Sequence, residues 1–378
     1  MNKNIKLIAG ILVLGLFFTS CKDEKIKKIN PTSYQSSILD EESPKESASK
    51  NGLKRFDKTI YEYFDTVTTF TGYCSNKKDF EKYEDLVEAR MEEYHKLFNN
   101  YDEFDGVNNI TTINKNAGKK PVKVDEKIIN LIKEGKKWYE LTDGDINMAY
   151  GSVLSIWSYY REEGLQDKEK ARLPKKDELN EKAQHTNIDA IEINEEEKTV
   201  FINDENTQIE VGGIAKGYAT ELIKDELIEK NLPAGLLSVG GDVAIIGENP
   251  EEAGGEFKVA IQNPTLSKSD PYSAILSLKD TSVVTSGDYQ RYYEVDGKRY
   301  HHIIDPKTNF PSTNFKSVSV ILDDIAQADA LSTALFIKNL EDGKKLLKEF
   351  NAEAMWIDSE GEIYKSDGWD NFDVSDQN

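Results

Sequence analysis

Hydrophobic residues recur along this chain with two different periods, and the changes of period mark out its elements. Over residues 53 to 73 apolar and polar positions alternate, with Tyr61, Tyr63, Phe64, Val67 and Phe70 as the apolar set, which predicts one or two strands. Residues 79 to 98 switch to helical spacing, at Phe80, Tyr83, Val87, Met91, Tyr94 and Phe98. A second helix is predicted over residues 125 to 141, on Ile128, Ile129, Ile132, Trp138 and Leu141. Between the two helices, residues 99 to 116 are crowded with Asn and Asp, whose side chains bond nearby backbone and favour turns. That segment reads as a loop, packed down by Ile110 and Ile113. A further loop (residues 143 to 151) and a short apolar stretch ending at Trp157 follow. A helix is predicted over residues 175 to 183, then a hairpin from residues 188 to 193 and 199 to 202, then a short strand over 208 to 211.

The second half is richer in strands. Val211-Gly212-Gly213-Ile214-Ala215-Lys216-Gly217 joins a strand to a helix that runs to about Glu229. Glycines at such a junction let backbone approach a ligand, and a helix N-terminus favours an anion. Most glycine turns entering helices bind nothing, so the pattern alone is weak. Strands are predicted near residues 235–239, 243–246, 257–261, 274–278, 282–285 and 317–322, with Gly240-Gly241-Asp242 as a tight turn between the first two. Asp324 caps a helix to Phe336, a last helix covers residues 340 to 350, and a strand covers 354 to 357. Asp367-Gly368-Trp369 reads as a packed tail.

Candidate chemistry concentrates between Val284 and Pro311. Asp296-Gly297 is a two-residue hairpin signal between strands around Tyr292–Val295 and residues 298 to 304. Such a hairpin brings Thr285, Ser286, Gly287 and Asp288 at one end beside His302 and Asp305 at the other. The same residues also suit a plain hairpin with a polar rim. On the helix after Asp324, Asp329, Ser332 and Thr333 share one face by their i, i+3 and i+4 spacing. A carboxylate with two hydroxyls on an otherwise apolar helix either binds a hard cation such as Mg²⁺ or bonds back to its own preceding turn. His95, beside Glu92 on a charged helix face, reads as solvated.

Composition then sets the compartment. Lys3 and Lys6 form a short basic region, Ile5 to Phe18 is an almost uncharged apolar run too short for a comfortable membrane span, and Thr19-Ser20-Cys21 follows. This resembles a lipoprotein signal over residues 1–20, with Cys21 the lipidated first residue of the mature chain. Residues 21–50 are polar and charged and read as a flexible tether, leaving residues 51–378 as the folded part. Cys74 is then the single remaining cysteine, so the mature chain forms no internal disulfide. A formal net charge of −21 argues against a nucleic-acid partner, and an anionic substrate would need a local device to be bound. No period of 20 to 50 residues indicates repeats.

Taken in order, Gly212 to Tyr218, Gly240-Gly241-Asp242, Thr285-Ser286-Gly287-Asp288-Tyr289, His302-Ile303-Ile304-Asp305-Pro306 and Ala328 to Ala334 resemble the ApbE family, the FAD:protein FMN transferases. The resemblance covers Leu53 to Trp369. It implies an α+β fold with a T-fold-like core of antiparallel sheets and flanking helices. It implies cleavage of FAD at its pyrophosphate, transfer of FMN to a threonine hydroxyl of an extracytoplasmic acceptor protein, release of AMP, and a requirement for Mg²⁺.

Carried over residue by residue, the resemblance assigns Asp329, Thr333, nearby Ser332 and the backbone carbonyl of Gly213 to the metal. Lys216 contacts the diphosphate or pairs with a carboxylate. Asn109, Asn147, Met148, Glu210, Thr285, Ser286, Gly287 and Ile304 fall beside the dinucleotide, Glu210 standing where the family usually has Asp. His302 is the base that takes the acceptor's proton, Asp305 orients it or contacts the ligand, and His301 is structural. One departure is Asn309, where the family usually has glycine; Asn accepts a left-handed conformation, so the turn is expected to survive. The competing readings are an Mg²⁺-dependent FAD pyrophosphatase and a non-enzymatic flavin-binding surface lipoprotein.

Overall fold

The computed structural model describes residues 52–375, so the signal segment, Cys21 and the tether lie outside the described residues. The elements are β1 (Lys54–Ile60), β2 (Thr68–Cys74), α1 (Lys77–Phe98), α2 (Ile110–Lys115), β3 (Val122–Lys123), α3 (Glu126–Leu141), α4 (Gly151–Gln166) and α5 (Lys176–Lys182). Then come β4 (Ile191–Asn194), β5 (Thr199–Ile202), α6 (Ala215–Glu229), β6 (Gly235–Val239), β7 (Asp242–Ile246), β8 (Phe257–Gln262), β9 (Tyr272–Leu278) and β10 (Ser282–Gly287). The chain closes with β11 (Tyr292–Val295), β12 (Lys298–His301), β13 (Ile304–Asp305), β14 (Phe310–Pro311), β15 (Phe315–Leu322), α7 (Ile325–Ile337), α8 (Leu340–Leu347), β16 (Glu353–Asp358) and β17 (Ile363–Lys365).

An eight-stranded antiparallel sheet, in the order β1-β2-β6-β7-β10-β15-β16-β17, is the frame. Its strands alternate between two apolar faces, as the period of two requires. Leu237, Ala244, Val284, Val318, Val320 and Trp356 face one core with α1, α6 and α7. Leu236, Val243, Ile245, Val283, Ile321 and Met355 face a second core, closed by the β8–β9 hairpin and by Trp369. Trp369 is fully buried, so the tail is packed as expected, and truncation to Ala would cost roughly 3–5 kcal/mol. A third cluster joins α4 and α5 to Tyr293 and Ile304. The α+β architecture and the antiparallel sheet agree with the expectation. Among the described residues no helix is long and apolar enough to cross a membrane.

Four local expectations are corrected. The stretch ending at Trp157 is the start of a 16-residue helix, α4, that continues to Gln166. The Asn-rich segment contains α2, started by the Asn109 side chain, which accepts the Thr112 N–H. Residues 208 to 211 form no strand and make one isolated bridge, Tyr150 with Gln208. The second hairpin strand stops at His301 and pairing resumes at Ile304, which leaves His302 between two short ladders. Its turn is as read: Asp296 and Gly297 have φ of 52° and 75°.

His95 is half-buried rather than solvated. Its Nδ1 accepts the Phe64 N–H at 3.2 Å, and Tyr63, Phe64 and Phe104 surround the ring. Cys74 is a free, buried thiol, pushed up to about 11 by burial.

Candidate active site

A cavity of about 310 Å³ opens where the glycine turn before α6, the face of α7, the end of β10, the α3–α4 loop and the segment after β12 meet. That volume lies at the low end of small-molecule sites, roughly 300–1,000 Å³. Asn147, Met148, Glu210, Gly213, Lys216, Thr285, Ser286, His302, Ile304, Asp329 and Thr333 all line it. Residues up to 186 apart in sequence therefore reach one volume, because α6 and α7 pack side by side against the sheet that carries β10.

Small residues make the α6–α7 approach possible. A Cβ at Gly217 would stand 2.4 Å from the Asp329 Cβ. At that contact the Gly217 N–H donates to Asp329 Oδ2 at 2.8 Å, at the N-terminus of α6. Lys216 Nζ lies 2.6 Å from Asp242 Oδ2 and 3.6 Å from Asp329 Oδ1. Burial works against the ammonium, but Asp242 and Asp329 outweigh it and hold Lys216 above its ordinary range. Burial also pushes the Asp242 carboxyl up, with Lys216 pulling it down and Asp329 adding to the rise. One ammonium thus faces two carboxylates and cannot neutralise both.

That shortfall of positive charge is the test of whether a divalent cation fits, and it does. Asp329 is buried, one of its oxygens is spent on Gly217, and the other has only the more distant Lys216. Thr333 Oγ1 is 3.3 Å from Ser286 Oγ, and the two share the cavity wall with Gly213. The donors are carboxylate, hydroxyl and carbonyl oxygens, the set a hard cation takes. Among the described residues no group of three or more His, Cys, Asp and Glu is arranged for a metal, so softer-ligand sites have no counterpart here.

Ser332 behaves differently from Thr333. It is fully buried, donates to the Asp329 carbonyl at 2.9 Å and shares a hydrogen bond with Ser286 Oγ at 2.8 Å. It bonds back to its own turn and braces Ser286 rather than facing the cavity.

His302 Nδ1 is buried with no hydrogen-bond partner. Burial lowers the imidazole well below its usual value, and the charges of Arg291 and Arg161 add to the effect. A neutral ring with an unspent nitrogen at a cavity wall suits proton acceptance. His301 is structural, as expected: Nε2 meets the Ser312 carbonyl at 2.8 Å and Nδ1 accepts the Ile303 N–H at 3.2 Å.

Three assigned residues stand apart from the cavity. Asp305 does not orient His302; its Oδ1 accepts the Lys307 N–H at 2.8 Å and shapes the following turn. Asn109 is fully buried and spends its side chain on the α2 cap and on the Lys96 and Asp102 carbonyls, so it is a structural residue. Gly287 lies against the Tyr289 ring, where a Cβ would come within 2.4 Å of Cε1. Asn147 does line the cavity, but both ends of its amide are used, by the Thr186 carbonyl and the Ala149 N–H. Glu210 accepts the Gly212 N–H at 3.0 Å; burial raises its carboxyl, and this bond with Arg291 and Arg161 pulls it down. Asn309 takes φ of 61°, so the turn survives as expected, and its side chain accepts from the Tyr150 hydroxyl.

The model of the ApbE family matches residues 64–356. The chain belongs to the ApbE family. The resemblance read from the ordered motifs is therefore correct. A family member from Treponema pallidum, an FAD:protein FMN transferase, is 31% identical over 272 residues, covering 68% of this chain and 73% of that protein. The ApbE protein of Thermotoga maritima has a TM-score of 0.74 and 29% identity, and the match covers 85% of this chain and 100% of that one. The flavin transferase ApbE of Vibrio cholerae, at 20% identity and TM-score 0.69, covers 85% and 99% and shares the fold.

Sequence reasoning missed Asp242, Arg161 and Arg291. Asp242 stands in the Gly-Gly-Asp turn, which reads as a tight turn and gives no sign of the burial that makes it a partner of Lys216. Arg161 lies in α4, beyond the apolar stretch ending at Trp157 that was all the sequence pattern showed of this helix.

Proposed function

We propose that this chain is an FAD:protein FMN transferase that attaches FMN through a phosphoester to a threonine of an acceptor protein and releases AMP. The observation that carries the reading is the meeting, in one cavity, of an under-neutralised oxygen cluster (Asp329, Thr333, Gly213, with Asp242 drawing on Lys216 beside it) with His302, whose Nδ1 has no partner. Asp329, Thr333 and the Gly213 carbonyl would hold Mg²⁺, which, when bound, neutralises phosphate charge. The names of relatives in the family support the same reaction.

The residues divide the work as phosphoryl transfer requires, by positioning and charge compensation. Lys216, held by Asp242 and Asp329, and the Gly217 N–H, held by Asp329, fix the carboxylates that would hold the cation. His302 takes the proton from the threonine hydroxyl as Oγ bonds to the phosphorus of the FMN half. The P–O bond to the AMP phosphate breaks, and AMP leaves with the electron pair. Met148 and Ile304 supply apolar wall for the dinucleotide's rings. We read Cys21 as the lipidation site, which would tether the enzyme to a membrane outside the cytoplasm and present it to extracytoplasmic acceptors; the support is the segment from Lys3 to Cys21.

The test is AMP release from FAD and Mg²⁺ with and without an acceptor. Transfer requires both, and Asp329→Asn should lower turnover by roughly two to three orders of magnitude while leaving the fold intact. AMP with free FMN, independent of acceptor, would favour the pyrophosphatase instead.

A further inference from the structure

Arg291 and His302 are opposite each other at the base of the β11–β12 hairpin. Tyr292 pairs with His301, and one step outward the His302 N–H donates to the Arg291 carbonyl at 3.0 Å. Helix α4 packs on this hairpin through Tyr160 and Tyr293, which brings Arg161 to the same cavity wall. Two guanidinium groups from separate elements therefore face the cavity that His302 lines.

Neither is held in a close ion pair, although the buried Glu210 carboxylate on the same cavity wall feels the charge of both. Among the described residues no carboxylate pairs with Arg161 or Arg291, and Arg161 meets only Ser158 Oγ, at 3.5 Å. Other cations of the cluster are spent: Lys216 on Asp242, and Arg299 on Asp288 at 3.1 Å. Burial and the charge of Arg291 lower Arg161, so the two guanidiniums oppose each other. Chains as acidic as this one, at −21, have carboxylates to spare. Two guanidiniums facing the single Glu210 carboxylate leave an excess of positive charge at this wall, which an added anion would offset.

We infer that Arg161 and Arg291 form an anion subsite that takes the phosphate oxygens of the dinucleotide. The inference rests on the transferase reading for the identity of the nucleotide. An anionic oxygen group could also come from an acidic side chain of the acceptor. The geometry favours the nucleotide, because one backbone hydrogen bond fixes Arg291 beside His302, and the phosphorus under attack must lie within reach of His302. Guanidinium groups bind phosphate in pairs of parallel hydrogen bonds, which lysine cannot reproduce.

The experiment titrates the full chain with ADP, a diphosphate without a flavin, by calorimetry in Mg²⁺ at low and moderate salt. Arg161→Gln and Arg291→Gln should each weaken ADP binding about ten-fold or more and flatten its salt dependence. Arg291→Lys should recover only part of the loss. Without nucleotide, the melting temperature of each Gln variant should stay within about a degree or two of the parent, since the repulsion removed offsets the lost attraction to Glu210. ADP affinity unchanged in both variants, with or without a rise in acceptor KM, overturns the inference. A fall of several degrees in the nucleotide-free melting temperature does so as well, because it marks a structural role. Arginine-dependent ADP binding by a chain that transfers no FMN would leave the subsite standing and remove the transferase reading alone.

Discussion

Lys216 and Asp242 form an ion pair, Nζ to Oδ2 at 2.6 Å, that joins the first turn of α6, just after its glycine turn, to the start of β7, where the Gly-Gly-Asp turn ends. The pair explains why both turns belong to one site. It draws the ammonium away from Asp329, whose Oδ1 is 3.6 Å off and remains open to a cation. Asp242→Asn should let Lys216 settle on Asp329 and compete with the metal. The Mg²⁺ concentration for half-maximal turnover should then rise about 10- to 100-fold. An unchanged Mg²⁺ requirement would separate Asp242 from the metal site.

His302 should remain neutral well into the acid range, because burial and the charges of Arg291 and Arg161 disfavour its protonated form. The acid limb of kcat/KM should therefore lie below pH 6.5. His302→Ala should lower kcat by roughly 10²–10⁴ while FAD affinity changes little. If FAD binding vanishes instead, His302 is a binding residue and the base lies elsewhere.

His301 makes the fold sensitive to acid. Burial lowers its imidazole to about 4, against an ordinary 6.5, and the Ser312 carbonyl only partly offsets this. Between those values the unfolded chain binds a proton that the folded chain does not. The stabilisation is present above pH 6.5 and is lost as the pH falls toward 4, by at most roughly 3 kcal/mol. Urea unfolding from pH 7.5 to 4.5 should show a steeper loss for the parent than for His301→Gln. Equal slopes would mean that His301 is not the titrating group.

Asn309 stands at φ of 61° and ties the turn after β13 to α4: its side chain accepts from Tyr150, and Trp157 Nε1 donates to its carbonyl at 2.9 Å. Asn309→Val should cost about 2 kcal/mol or more, from backbone strain and the lost acceptor. Asn309→Gly keeps the conformation and should cost about 1 kcal/mol or less. Chemical denaturation of the two variants decides the point; equal losses would contradict the strain argument.

Local chemistry made much of this legible. Asp296-Gly297 announced its hairpin because few residues accept two successive positive φ values. The apolar runs of β6, β7 and β15 announced strands, but their burial on both faces comes from the two cores that the sheet separates. What failed was whatever depended on the partner a side chain finds. Asn109 resembled a ligand contact in an Asn-rich stretch, yet the N-terminus of the six-residue helix α2 claimed it. The Asp305 carboxylate was taken by its own turn, and the Ser332 hydroxyl by its own helix. Helix α4 is not legible as a helix because Ser158 to Gln166 is mostly polar, and only the packing of Tyr160 on the β11–β12 hairpin reveals which face is buried.

The most direct measurement is the intact mass of an acceptor protein after incubation with the enzyme, FAD and Mg²⁺, beside the same acceptor with its target threonine changed to valine. The account predicts that the first gains one FMN, with an equal amount of AMP released, and that the second gains nothing. An unmodified acceptor, with FAD hydrolysed to free FMN or held intact, would contradict it.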